Sequence, residues 1–431
     1  MRKHDPYFYV KTVRCVNAER LPVLMIRATG APDFEATLWV VTSLRSRGLA
    51  SATIEQALRS LMVLYHIFRI RKINLTERLS TGCWIDPAEC EAILIGSCQE
   101  LGVLAWEESV SEESTPKKIL RKVVSLERFR ADMRARKPDI GVDVTTRAIR
   151  IGYIRSFLNW RISWEARHSD RDRGSALLKL RDLVDEELKK KTPNFWGRST
   201  FNSRTGIDYD NQAYLKRIIA PDHPDNPWVG NFIRVRNKLI IHVFLELGVR
   251  RGELLGLRIR DMKPQAHEVL ILRRPDDAND PRLYEPNAKT RDRLLLLPSA
   301  LYRLIQSYLL LRHDIVHGAH DFLFVANAGA PLSKPGLNRI FSKLSIADNF
   351  PKITPHVLRH TFCENLADAL YQEGKGDVEI LNFLRQQGGW SDTSNTPCRY
   401  TKRFVQNRTS KAIFSMQEAL MINNVEVNNH E

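Results

Sequence analysis

His356 and Arg359 stand three residues apart in the run Thr354-Pro-His-Val-Leu-Arg-His-Thr-Phe362. On a helix that spacing puts both side chains on one face. Thr354 is placed to cap such a helix, and Pro355 suits its first turn, where no amide hydrogen is needed. An imidazole, a guanidinium and a helix amino end meeting at one point form an anion site. Leu358, Phe362 and Leu366 recur at four-residue spacing and are expected to anchor the opposite face. Further on come Gly389-Trp390 and then Arg399-Tyr400-Thr401, and Tyr400 is the only tyrosine after Tyr371. A phenol beside an anion site can attack a bound phosphate. Read alone, His-x-x-Arg equally describes two exposed polar residues.

Two upstream segments supply more cations. Gly248-Val-Arg250-Arg-Gly-Glu253-Leu-Leu follows an apolar helical stretch at 236–247, with Gly248 placed to cap its end. Arg250 then falls in a turn between two packed elements, and Glu253 can buttress an arginine there. Ala288-Lys289-Thr290-Arg-Asp-Arg293 precedes an apolar run at 294–297. A lysine on such a turn can reach over a site as a proton donor. The alternatives are an ordinary helix joint with surface arginines and a solvated basic turn.

The chain that must position these groups has 431 residues, 43% of them apolar and 27% charged, so it reads as globular with two or three domains. Its formal net charge of +16 points to a polyanionic partner, nucleic acid before membrane. No apolar run approaches the ~18 residues of a membrane helix, and no signal-type core follows Met1, so a cytoplasmic protein is expected. Cys83, Cys90 and Cys98 lack a CxxC pair, so reduced thiols are expected there in place of zinc.

Residues 1–33 read as an N-terminal extension. Helical patterning begins at Phe34, stops at Gly48 and resumes at Ser51, where Ile54, Leu58, Leu61, Leu64, Ile67 and Phe68 form an apolar stripe. Helices are also expected over 86–98, from 145 onward and over 171–191. The charge-rich stretch 112–138 is either a solvated face or a phosphate contact. Thr192-Pro-Asn194 breaks the last of these helices, which sets a domain boundary near 190–210. Beyond it the pattern is helical, with short strands expected at 269–272 and 294–297 and a third at 322–325.

Together these residues resemble the tyrosine recombinases, also called phage-type integrases. Gly-Val-Arg250-x-x-Glu253-Leu-Leu is similar to the first arginine box, Lys289 to the hairpin lysine, and His356-x-x-Arg359-His360 to the second box. Trp390 stands where many members have a histidine and some a tryptophan. Tyr400 stands at the nucleophile's place, ten residues past Trp390 and one more than the usual spacing. The resemblance covers about 205–405. It implies a mainly α fold with a small antiparallel sheet (α+β). A helical core DNA-binding domain at 34–195, with an insertion at about 100–140, would precede a catalytic domain at 205–431 whose tail starts near 405. The two would close on DNA as a C-shaped clamp.

The resemblance also implies a site-specific recombinase or integrase that cuts and rejoins duplex DNA, without metal, ATP or other cofactor, through a 3′-phosphotyrosine link. In that scheme Tyr400 is the nucleophile, and Arg250 and Arg359 bind the non-bridging oxygens. His356 takes the tyrosine proton or bonds the phosphate, and Lys289 protonates the leaving 5′ oxygen. Trp390 donates an indole hydrogen bond, and Glu253 and His360 support these groups from behind. The expected partners are double-stranded DNA bearing recombination sites and three further copies in a homotetramer, with the amphipathic stretch around Ala412–Met421 docked on a neighbour. A mobile element and a nucleoid-associated location follow. A type IB-like topoisomerase and a non-catalytic DNA-binding protein are the alternatives.

Overall fold

The computed structural model describes residues 6–113, 141–193, 205–286, 290–344 and 351–427. Lys289, most of the charged stretch 112–138 and the last residues of the tail lie outside them. The chain forms two compact units, Met1–Ser199 and Thr200–Glu431.

The first unit opens with a hairpin, β1 (Phe8–Arg14) and β2 (Arg20–Ile26), in register from Phe8 opposite Ile26 to Arg14 opposite Arg20. The extension expected over 1–33 is therefore part of the folded unit, since Phe8 and Leu24 lie in its core. After α1 (Phe34–Trp39), capped by Asp33, comes α2 (Ser51–Arg71). Helix α2 does more than present a stripe: every residue from Ser60 to Phe68 is buried. The hairpin, α5 (Leu101–Glu113) and α6 (Val144–Arg167) all pack on it from different sides. His66 is consequently enclosed, and it is paired with the Glu108 carboxylate, which also takes the Arg69 guanidinium. Between α2 and α5 stand α3 (Leu75–Ser80) and α4 (Pro87–Gly96), the latter opened by an Asp86–Glu89 capping box. Helix α7 (Arg171–Lys190) packs on α6 and closes the unit.

The second unit begins with α8 (Tyr209–Ile218) and is built around α9 (Asn231–Leu247). Leu239, Ile240, Val243, Phe244 and Leu247 of α9 are buried against α11 (Ser299–Val316) and α13 (Pro355–Gln372). Between α9 and α11 lie α10 (Arg251–Gly256) and a three-stranded antiparallel sheet in the order β3 (Met262–Lys263), β4 (Glu268–Ile271), β5 (Arg293–Leu296). Val269, Ile271 and Leu295 face the core while Leu294 and Leu296 face out, the alternation of a half-buried sheet.

The expected strand at 322–325 is not part of this sheet. Phe322 to Val325 are all buried, and Phe322 and Val325 make only isolated bridges, to Arg258 and Pro331. A segment enclosed on both sides has no wet face, so its apolar run carries no strand period. After α12 (Lys334–Leu344), α13 leads to α14 (Asp377–Gly388), the short α15 (Thr396–Tyr400) and a long α16 (Lys402–Val427). Among the described residues the architecture is mainly α with two small antiparallel sheets. Among the described residues, no helix is long and apolar enough to cross a membrane.

Candidate active site

Helix α13 starts as its sequence dictates, with the Val357 amide donating to Thr354 Oγ1 at 3.2 Å and Pro355 in the first turn. The two residues at the centre of its motif meet different fates. His356 is exposed, whereas Arg359 is 1% exposed. The helix is also buried more widely than a Leu358–Phe362–Leu366 stripe implies. Leu358, Thr361, Cys363 and Ala367 are buried, while Phe362 and Leu366 are only half-buried. The reason is that α13 is sandwiched between α9 on one side and α14, α15 and α16 on the other.

Tyr400 is held by this second layer. With Cys363, Ala367, Ile380, Leu384, Trp390 and Phe404 it forms a separate small core, and its own exposure is 7%. Its ring stacks on His360 at 4.3 Å between centroids, with 30° between planes. Trp390 lies at 5.1 Å and His356 meets it edge-on at 5.4 Å. The Arg359 guanidinium sits 5.4 Å from the Tyr400 centroid and 4.5 Å from that of Trp390, and Arg250 lies 5.1 Å from Trp390. The tyrosine hydroxyl makes no hydrogen bond among the described residues.

Backbone carbonyls aim the two guanidiniums. Arg250 Nη1 donates to Gly388 O at 3.0 Å, and Arg359 Nη2 donates to the same oxygen at 3.2 Å. Arg359 Nη1 donates to Gly248 O, the C-terminal cap of α9. Gly248 has φ +59°, and a Cβ there would lie 2.1 Å from the Phe362 ring, so only glycine serves. Glu253 reaches back to the Arg250 amide at 2.9 Å and its Oε1 lies 3.5 Å from Arg250 Nη1. Burial would raise the Glu253 pKa, but Arg293, Arg359 and the Thr290 hydroxyl outweigh it and bring it to about 2. Burial, then the nearby Arg359, lowers the Arg250 pKa from its ordinary value.

The Gly388-Gly389-Trp390 turn completes the frame. Gly389 caps α14 with φ +65°, and Trp390 N returns to Arg385 O at 2.9 Å. A Cβ on Gly388 would lie 2.0 Å from the Trp390 ring. Gly388→Ala should therefore push the indole out and lower the unfolding free energy by about 1–3 kcal/mol, the usual cost of overpacking. Chemical denaturation measures this, and an unchanged midpoint would mean the indole does not seat on the glycine. The Trp390 indole N–H and Arg359 Nε are buried and have no hydrogen-bond partner among the described residues. Buried donors are normally satisfied, and a bound anion is one group that would do so.

The structure thus gathers Arg250, Glu253, His356, Arg359, His360, Trp390 and Tyr400 around one point. Lys289 lies outside the described residues; its neighbour Thr290 is buried and bonded to Glu253. Sequence reading missed Arg293 and the Gly388 carbonyl. Only the apolar turn of two glycines before Trp390 hinted at the second.

Residues 215–407 match the family model described as "Phage integrase family". The tyrosine recombinase XerC of Serratia marcescens is 22% identical over 317 residues, which are 73% of this chain and 83% of that protein. The TnP I resolvase of Bacillus thuringiensis is 30% identical over 163 residues, 37% of this chain and 48% of that one. Among solved structures, the XerH site-specific recombinase in its post-cleavage complex with palindromic difH substrate aligns at TM-score 0.42 and 17% identity, covering 84% of this chain and 96% of that one.

Proposed function

This chain belongs to the tyrosine recombinase (phage integrase) family, and from that premise we propose that it cuts and rejoins duplex DNA at specific sites through Tyr400. The observation that carries the reading is the convergence of the Arg359 guanidinium, the His356 imidazole and the Trp390 indole on one buried tyrosine ring, with the Arg250 guanidinium against that same indole.

The Tyr400 oxygen attacks the scissile phosphorus and the 5′ oxygen of the next nucleotide leaves, which conserves the phosphodiester as a 3′-phosphotyrosyl link for rejoining. A free phenol has a pKa of about 10, so its proton must leave during attack. His356, at the exposed edge of the ring, is the acceptor, or else bonds the phosphate. Arg250 and Arg359 bind the non-bridging oxygens and offset the charge gathered in the pentavalent state. Trp390 gives that phosphate its unpaired indole hydrogen but cannot shuttle protons. Lys289 protonates the leaving oxygen. Glu253 and His360 act from behind, one on Arg250 and the other beneath the tyrosine ring.

The first unit, its N-terminal hairpin included, serves as the core DNA-binding domain, and the second as the catalytic domain. The net charge of +16 suits a phosphate backbone. In α16, Ile413, Phe414 and Met416 are exposed, which suits a helix that docks on a neighbouring copy within a homotetramer on two DNA sites. A mobile element acting at the nucleoid, in the cytoplasm, fits this activity.

The experiment is to incubate the protein with nicked suicide duplexes built from any inverted repeats at the borders of its gene. An SDS-resistant protein–DNA adduct joined to a 3′ phosphate is expected. Complete absence of an adduct on those duplexes would sink the reading.

A further inference from the structure

Arg293, at the start of β5, enters the site although no chemical motif singles it out. Its side chain is 7% exposed and all three guanidinium nitrogens are engaged. Nε donates to Gln387 O at 2.8 Å, Nη1 to Thr290 Oγ1 at 3.2 Å, and Nη2 to Glu253 Oε2 at 2.7 Å. The next carbonyl along, Gly388 O, takes Arg250 and Arg359, and the one after, Gly389 O, takes the Arg291 amide at 3.2 Å. The end of α14 is thus bound at successive carbonyls by β5, by the two active-site arginines and by the turn before β5. Glu253 is the second junction. Its buried carboxylate takes the Arg250 amide, the Thr290 hydroxyl and Arg293.

We propose that Arg293 is a positioning residue for strand cleavage: it locks Glu253, and through it Arg250, to the end of α14 that carries Trp390. The proposal rests on the recombinase reading above. A planar guanidinium carries five N–H donors on three nitrogens in a rigid fork, so it spans separated acceptors at once, whereas the three donors of an ammonium all leave a single nitrogen. Positioning within a fraction of an ångström is what separates a productive from an unproductive phosphate clamp. The groups facing Glu253 are Arg293, Arg359, Arg250 and Thr290, and Arg293 is the foremost of those that keep it ionised against burial. Without Arg293, burial raises the Glu253 pKa, and at falling pH the carboxyl takes a proton and gives up part of its hold on Arg250.

The test is single-turnover cleavage of suicide DNA by the full chain, with DNA affinity measured in parallel. Arg293→Met should slow cleavage by about 30-fold or more while affinity stays within about twofold. Its deficit should widen as pH falls from about 8 to about 5.5. The double variant Glu253→Gln/Arg293→Met should be slow with a deficit that does not change with pH, a signature that mere loss of stability would not produce. Cleavage within about threefold of wild type, a rate loss that follows affinity, or a pH-independent deficit in Arg293→Met overturns the proposal. Thr290→Val removes one bond from Glu253 and one from Arg293 without changing charge. It should slow cleavage by about threefold to tenfold, and a wild-type rate there overturns the proposal even where Arg293→Met does not fold. If the wild-type protein forms no adduct, the recombinase reading fails and this one with it. If wild type cleaves and the variants match it, only the role of Arg293 falls.

Discussion

Tyr400→Phe should form no covalent adduct with DNA while binding it as tightly as wild type. The substitution removes a single oxygen, and that oxygen makes no hydrogen bond among the described residues. The ring contacts that hold the segment remain: His360 stacked at 4.3 Å, Trp390 at 5.1 Å and His356 edge-on at 5.4 Å. Stability should therefore change by less than about 0.5 kcal/mol, as for a substitution that breaks no native contact. Tyr400→Ala is a poorer probe, since it removes a ring from the small core around Cys363, Ala367 and Leu384. Emptying such a site costs roughly 3–5 kcal/mol and confuses folding with chemistry. Gel analysis of suicide-substrate reactions and a binding titration read the two quantities separately. An adduct in the phenylalanine variant would move the nucleophile elsewhere. A loss of binding would mean that the hydroxyl acts in recognition as well as in attack.

Arg359→Ala should lower the cleavage rate by about 100-fold or more, the scale for removing one donor that stabilises a developing oxyanion. It should also lower stability, because the same guanidinium donates to Gly248 O and Gly388 O. Gly388 O keeps Arg250 as a donor, but Gly248 O loses its guanidinium, and a buried acceptor left unmet costs about 1–3 kcal/mol. Arg359→Lys separates these effects. A lysine keeps the charge but cannot bind two divergent carbonyls and a phosphate together. Its rate should fall between wild type and alanine, with a smaller loss in thermal stability. Near-normal cleavage by Arg359→Ala would remove this residue from the reaction.

These variants differ in how readily they could have been chosen without a structure. Thr354, Pro355, His356 and Arg359 are legible because helix capping and the 3.6-residue repeat are local properties of the chain. Tyr400 is legible because no other tyrosine follows Tyr371. The helices over 51–71, 87–96, 144–167 and 171–190 follow from periodicity in the same way, and Asp86, Asp143 and Asp170 cap the last three. The β1–β2 hairpin escaped this reading. Leu21-Pro-Val-Leu-Met-Ile26 carries no alternation of polar and apolar residues, and its identity as a strand depends on pairing with β1 and packing on α2. Phe322 to Val325 erred the other way, since an apolar run does not say whether it pairs or is simply enclosed.

The basic turn before β5 draws the same line within two residues. Arg291 and Arg293 are identical in type and neighbourhood, yet the side chain of Arg291 is 63% exposed and that of Arg293 is 7% exposed. Residue type and spacing determined by themselves which groups could hold a phosphate and attack it, because those properties reside in single side chains and in short stretches of helix. Which arginine turns inward, which carbonyls aim the guanidiniums and what lies beneath Tyr400 were decided only by the tertiary structure. Those depend on the end of α14 meeting β5 and the turn that holds Arg250, contacts between segments more than 90 residues apart in the chain, as in the bonds from Arg293 to Gln387 and from Arg250 to Gly388.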